Sequence, residues 1–192
     1  MKVILGLGNP GLRYRDNRHN LGYWVIEKLA RAHKIKITQK NSKFTAQEAV
    51  IRNTQVLLAK PLTYMNLSGE AALAVIRQKQ VNCQDILVVC DDVNLPLGQI
   101  RIRAEGRSGG HNGLRSIINL LKTEAFPRLR IGIGMPTDNP EGNLSAHVLT
   151  KFNKDELKLV KKAVEEGAHC CEVWLAEGIE PAMNRFNTRI LQ

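Results

Sequence analysis

Cysteine is scarce in this 192-residue chain and follows no metal or disulfide pattern. Cys83, Cys90, Cys170 and Cys171 show neither C-x-x-C spacing nor the framework of a stapled secreted domain, which points to a reducing, cytoplasmic setting. Long apolar runs are missing too, and none approaches the ~20 residues of a membrane span. The start, Met1-Lys2-Val3-Ile4-Leu5, goes directly into a strand pattern and carries no signal-peptide pattern. No serine or cysteine lies in a nucleophile motif such as G-x-S-x-G, so a hydrolytic reaction here would draw on water. Acidic residues are in deficit: 18 Asp and Glu stand against 28 Lys and Arg, a formal charge of +10. An imbalance of that size favours a polyanionic partner by long-range attraction, although a generally basic, solvated surface gives the same sum.

Hydrophobic content of 43% is ordinary for a globular protein, and 192 residues suffice for one domain with a proper core. The patterning predicts a strand over 2–8, a helix over 20–33, and strands over 44–51 and 56–60 joined by a turn at Arg52-Asn53-Thr54. Ser68 is expected to cap a helix carrying Ala72, Val75 and Ile76. Residues 86–90 form a continuous apolar run of strand length, the mark of a central strand buried on both faces. Residues 99–104 alternate, placing Arg101 and Arg103 on one face. A helix through Leu114 and Leu121 and a strand over 128–133 follow. Residues 135–146, rich in Pro, Gly and Asn, read as a mobile loop. Asn153 then caps a long helix over 154–177, and a short helix from about Pro181 ends one α/β domain spanning 1–192.

Gly6-Leu-Gly8-Asn-Pro-Gly11 matches the dinucleotide fingerprint G-x-G-x-x-G, but its surroundings argue against a nucleotide. Pro10 has no N–H to offer a phosphate. The helix opens eight residues late, and Arg31-Ala-His-Lys-Ile-Lys occupies the stretch where a ribose-binding acid is expected.

Polar groups cluster after several apolar elements: Asn9, Tyr14 and His19 after the first strand, Tyr64-Met65-Asn66 before a helix, Asp91 at a strand end, and the turn around His111 and Asn112. Brought together, they would give one histidine an orienting carboxylate, the arrangement of a general base for water. Taken singly, each admits a blander reading. A lone histidine in a polar loop is usually solvated, Asp91 suits a turn, Asn9 and Asn112 suit left-handed backbone, and Tyr64 and Met65 suit a core.

Together, however, the runs Gly6-Leu-Gly-Asn-Pro-Gly11, Tyr14-x-x-Asn-Arg-His-Asn-x-Gly22, Pro61-x-Thr-Tyr-Met-Asn-Leu-Ser-Gly69, Gly109-Gly-His-Asn-Gly-Leu114 and Arg128-Leu-Arg-Ile-Gly-Ile-Gly134 resemble bacterial-type peptidyl-tRNA hydrolase. They occur in the family's order over nearly the whole chain. The resemblance implies a three-layer α/β/α fold, with a mixed twisted sheet flanked by helices on both faces. It also implies a monomeric cytoplasmic esterase, needing no metal or cofactor, that cleaves the ester between a peptide and the 3′-terminal ribose of tRNA. The implied partner is peptidyl-tRNA, engaged through its acceptor arm and CCA end. Residue by residue, His19 matches the general base, Asp91 the acid that orients it, and Asn9 the residue that distinguishes N-blocked substrates. Tyr14, Tyr64, Asn66 and Asn112 match substrate-contacting positions, while Met65 and His111 are expected to line the groove. Arg103 and Arg130 are expected on tRNA phosphate, by resemblance and charge together. Tyr64 stands where phenylalanine is common, Arg103 where lysine is common, and Arg107-Ser108 interrupts a stretch usually made of small residues. The competing class is a non-catalytic RNA-binding relative on the same fold, of the splicing type, which would need the basic face but not an oriented imidazole.

Overall fold

The structure, a computed structural model, describes residues 1–136 and 144–187. In chain order its elements are β1 (Lys2–Gly6), α1 (Leu21–Ala32), β2 (Gln39–Lys40), β3 (Phe44–Ile51), β4 (Thr54–Pro61), α2 (Ser68–Lys79) and β5 (Ile86–Asp92). They continue with β6 (Ile100–Arg103), α3 (Asn112–Leu121), β7 (Arg128–Gly132), α4 (Leu144–Val148), α5 (Lys154–Glu177) and α6 (Ile179–Phe186). The strands form one mixed sheet in the order β2-β3-β4-β1-β5-β7-β6. β1 lies parallel to β4 and β5, and β5 parallel to β7, while β2, β3 and β6 run antiparallel to their neighbours.

Every residue of β5 is buried, as its unbroken apolar run requires for a strand covered on both faces. Alternation divides the interior in two. Ile4, Leu58, Leu87, Val89, Leu129 and Ile131 pack under α1, α5 and α6. Val3, Leu5, Leu57, Ala59, Val88 and Cys90 pack under α2 and α3. Asp91 continues the Leu87–Val89 alternation and so projects on the α1 side, whereas Asp92 shares the other face with Arg130. The chain leaves β4, passes through α2 and re-enters as β5 on the far side of β1. Reversals of this kind open a crevice at the carboxyl ends of the strands.

Local chemistry explains most boundaries. Arg52 and Asn53 both take left-handed backbone (φ 51 and 59), making the two-residue turn that joins β3 to β4. Asn153 caps α5 through Asp155 N–H at 3.0 Å and Glu156 N–H at 2.9 Å, and Glu156 closes a capping box. Ser68 does not cap α2. A 3-10 turn over Met65–Leu67 precedes the helix, and the Ser68 hydroxyl donates instead to the Met65 carbonyl at 2.8 Å. β2 has no hydrophobic pattern and escapes sequence reading. Within the expected loop over 135–146, residues 144–146 begin α4, and 137–143 lie outside the described residues. At the free edge of the sheet, the Asn187 side chain accepts from Ile102 N–H at 2.9 Å and donates to Ile102 C=O at 3.0 Å.

The glycine fingerprint serves packing. A Cβ on Gly6 would lie 2.2 Å from the Gly22 carbonyl oxygen, and one on Gly22 would lie 2.3 Å from Leu7 N and 2.4 Å from Val89 O. These bare backbones let the first turn of α1 sit directly on the ends of β1 and β5. Gly22→Ala sets a methyl against backbone that cannot step aside. It should therefore cost about 3 kcal/mol, the upper part of the overpacking range. That corresponds to a fall of about 6–12 °C in Tm for a chain of this size, read by circular dichroism.

Candidate active site

A 3-10 turn over Arg18–Asn20 leads into α1 and presents His19 to the end of β5. His19 Nδ1 lies 2.8 Å from Asp91 Oδ1 and 2.9 Å from Oδ2. From the other side, His111 Nε2 approaches Asp91 Oδ1 at 3.1 Å, and the two imidazole rings are 4.9 Å apart at their centres. Asp91 is 2% exposed and His19 6%. A carboxylate so deeply buried needs partners, and the two rings supply them. Burial alone would raise the Asp91 pKa, but the facing imidazoles and their hydrogen bonds outweigh it and hold the carboxyl well below the usual carboxylate range. In His19, burial favours the neutral ring, yet the Asp91 charge and hydrogen bond prevail and lift its pKa above the ordinary value.

The hydrogen bonds also fix tautomers. His111 Nδ1 accepts from Gly113 N–H at 3.1 Å and Leu114 N–H at 3.2 Å, capping α3, so its proton resides on Nε2 and is donated to Asp91. His19 donates from Nδ1, leaving Nε2 with a free lone pair, as a base requires. The trio His19, Asp91 and His111 has the donor types of a metal site, with ligand atoms all within 4.8 Å of one another. A metal on His111 Nε2 would drive that proton to Nδ1, against two backbone N–H groups. The residues therefore fit a hydrogen-bonded dyad with a second anchor better than a metal centre.

A cavity of ≈ 120 Å³ opens beside the trio, lined by His19, Asp91, His111, Asn112 and, from α4, Leu144 and Val148. The turn below it uses left-handed Gly109 and Gly110 (φ 58 and 86), and Asn94 Nδ2 ties it down through the Gly109 carbonyl at 3.2 Å. Asn112 is half-buried, and its carbonyl oxygen accepts from Arg115, which orients its amide N–H groups away from that arginine. Asn9 is buried. Its side-chain oxygen accepts from Met65 N–H at 2.8 Å, which commits the oxygen and leaves the NH₂ as the donor end. Asn20, 1% exposed, clasps the Asn9 backbone in both directions, at 2.9 and 3.0 Å. Sequence reading missed Asn20; its only signal was a place in the run after His19. Asn66 is exposed. Tyr14 and Tyr64 meet edge to face 6.3 Å apart, with Arg13 over the Tyr14 ring.

One expectation changes: the Met65 side chain is buried in the core rather than in the cavity wall, and its backbone N–H is the part that serves Asn9. His111 lines the cavity, but both its nitrogens are engaged inside the protein, so it acts on Asp91. Among the arginines, Arg101 and Arg103 of β6 stand opposite Arg130 and Arg128 of β7, on one face of the sheet. Arg103 is exposed. Arg130 is half-buried, with Nη1 2.7 Å from Asp92 Oδ2. Arg128 is 2% exposed and bonded to the carbonyls of Phe126, Gly106 and Glu124, so it holds loops together rather than joining the basic surface.

Comparison with known proteins shows which family the chain matches. The family model described as Peptidyl-tRNA hydrolase matches residues 3–192. A peptidyl-tRNA hydrolase of Prosthecochloris aestuarii is 46% identical over 188 residues, 98% of this chain and 97% of that protein. One from Clostridium acetobutylicum is 42% identical over 187 residues, covering 97% and 98%. The crystal structure of peptidyl-tRNA hydrolase from Acinetobacter baumannii superimposes with a TM-score of 0.89 at 35% identity, covering 98% of this chain and 95% of that one. With the motifs, the fold and nearly full-length matches in agreement, the chain belongs to the peptidyl-tRNA hydrolase family.

Proposed function

We propose that this protein hydrolyses the ester bond between the peptide and the 3′-terminal ribose of peptidyl-tRNA, with His19 as the general base. The observation that carries the reading is the pairing of His19 Nδ1 with the buried Asp91 on the wall of a cavity. His19 Nε2 takes a proton from water as the oxygen attacks the ester carbonyl, and Asp91 stabilises the imidazolium that forms. The amide N–H groups of Asn66 and Asn112 are the candidate donors to the tetrahedral oxyanion. Collapse breaks the bond to the ribose oxygen, which recovers the proton from His19, leaving free tRNA and a peptide acid. The NH₂ of Asn9 is the donor for the peptide carbonyl that an N-blocked substrate presents, and Tyr14 and Tyr64, edge to face with one another, offer stacking faces. Arg103, with the uncommitted part of Arg130, meets phosphate of the acceptor arm and sets register without reading sequence. The protein acts in this scheme as a single-domain monomer in the cytoplasm, without metal or cofactor. A binding-only role on the same fold would leave the oriented imidazole without a task.

His19→Ala should lower release of N-acetylated amino acids from tRNA by about 10²–10⁴-fold at nearly unchanged tRNA affinity, with the unblocked aminoacyl-tRNA resistant to the wild type. Only neutral His19 can accept the proton, so activity falls as pH drops through its raised pKa. Asp91→Asn removes the charge that raises it and leaves burial, which lowers it. The acidic limb of the kcat profile should move to lower pH as turnover drops. Arg103→Glu should raise KM steeply at low salt and much less at high salt, as expected for lost phosphate contact.

A further inference from the structure

The turn that carries His19 is three residues long and has no side-chain cap of its own. Its geometry is imposed from outside, by a different tether at each residue. His19 reaches β5 through Asp91, and Asn20 reaches the loop after β1 through Asn9. Arg18 reaches the segment after α4 and the first turn of α5. Its Nη2 lies 2.9 Å from Glu156 Oε1 and 2.8 Å from Oε2, its Nε donates to Thr150 Oγ1 at 3.0 Å, and its backbone N–H donates to the Thr150 carbonyl at 3.0 Å. The guanidinium lies over the Phe152 ring at 4.5 Å, and Asn17 pairs with Lys151 as an isolated bridge. The receiving side is itself fixed: Glu156 also accepts from Asn153 N–H at 2.8 Å in the capping box, and Thr150 Oγ1 donates to the His147 carbonyl at 2.7 Å.

We propose that Arg18 is a positioning residue for the hydrolysis, holding the His19 turn against Asp91 through its clamp on Glu156 and Thr150. The inference rests on His19 being the base. A simple loop staple would be a poor explanation of this arginine. It is 7% exposed, and its Nη1 is buried without a hydrogen-bond partner among the described residues. Desolvating a guanidinium while leaving one nitrogen unpaired costs stability, and buried ion pairs are commonly replaceable by apolar residues at no loss. What an apolar residue cannot supply is direction. The forked contact with a carboxylate and a hydroxyl fixes both the position and the twist of the backbone immediately before His19. The same clamp joins the base to the chain that continues from the α4 wall of the cavity, since Leu144 and Val148 line it and Thr150 follows two residues later. Base and cavity wall are thereby held in one rigid piece.

The test uses the full chain, with N-acetylated aminoacyl-tRNA as substrate, in Arg18→Met, Arg18→Lys and Glu156→Gln variants. Displacement of a base by about 1 Å costs on the order of 100-fold. Arg18→Met should therefore lower kcat by roughly 10- to 100-fold with KM within about twofold of wild type. The acidic limb of its kcat profile should move to lower pH as the grip of Asp91 on the imidazole loosens. Arg18→Lys should recover part of kcat, and Glu156→Gln should reproduce the shift in milder form. In an Asp91→Asn background, Arg18→Met should add little. Wild-type kcat and pH profile in folded Arg18→Met would overturn the proposal, even with a lowered Tm. Should that variant not fold, the same wild-type behaviour in Glu156→Gln would overturn it. His19→Ala in parallel separates the two readings: if it is fully active the base assignment fails, and if it is inactive while Arg18→Met is normal only the positioning role fails.

Discussion

The site depends on one buried carboxylate held between two imidazoles. Asp91 sits at the carboxyl end of the most enclosed strand of the sheet, where an unpartnered negative charge would be prohibitively costly. His111 and His19 satisfy it from different directions and with different consequences. His111 is locked by two backbone N–H groups into donating, so it shares the cost of burying the charge without competing as a base. His19 has Nδ1 committed to Asp91, and its Nε2 has no partner among the described residues. The asymmetry between two chemically identical side chains comes from whether the second ring nitrogen finds a backbone donor.

The fold brings His19 to Asp91 across the shared edge of β1 and β5. His19 follows β1, Asn66 follows β4 and Asp91 ends β5, and these three strands are adjacent and parallel. The bare contact of Gly6 with Gly22 seats the start of α1, and hence the preceding turn, directly on the sheet. A larger residue at either position would lift His19 away from Asp91, which links a packing constraint to the chemistry.

Much of this was legible in sequence where the signal is local. The apolar run of β5, the alternation in β6 and the Asn153 cap gave elements at nearly their observed limits, because each follows from the chemistry of neighbouring residues. His19, Asp91 and Asn112, each singled out from a motif, line one cavity. What stayed hidden depends on partners distant in the chain. Arg128 resembles Arg130 in an alternating strand, yet only the surrounding loop carbonyls make it an internal strut. Met65 appears in a polar motif, but its contribution is a main-chain N–H, which no side-chain pattern reveals. The packing role of the glycine fingerprint stayed hidden for the same reason, since close backbone approach is needed in tight helix–strand packing as well as in phosphate cradles.

The outermost strand, β6, has a further consequence for the behaviour of the protein in a crowded solution. Unpaired strand edges recruit other chains, and an edge with isoleucines on its inner face is a template for aggregation. Here the Asn187 carboxamide occupies the amide and carbonyl of Ile102 as a neighbouring strand would. Arg101 and Arg103 add like charge that repels a second copy approaching in register. A carboxamide bonded along the edge and a pair of like charges thus both work against pairing of this sheet with a second copy.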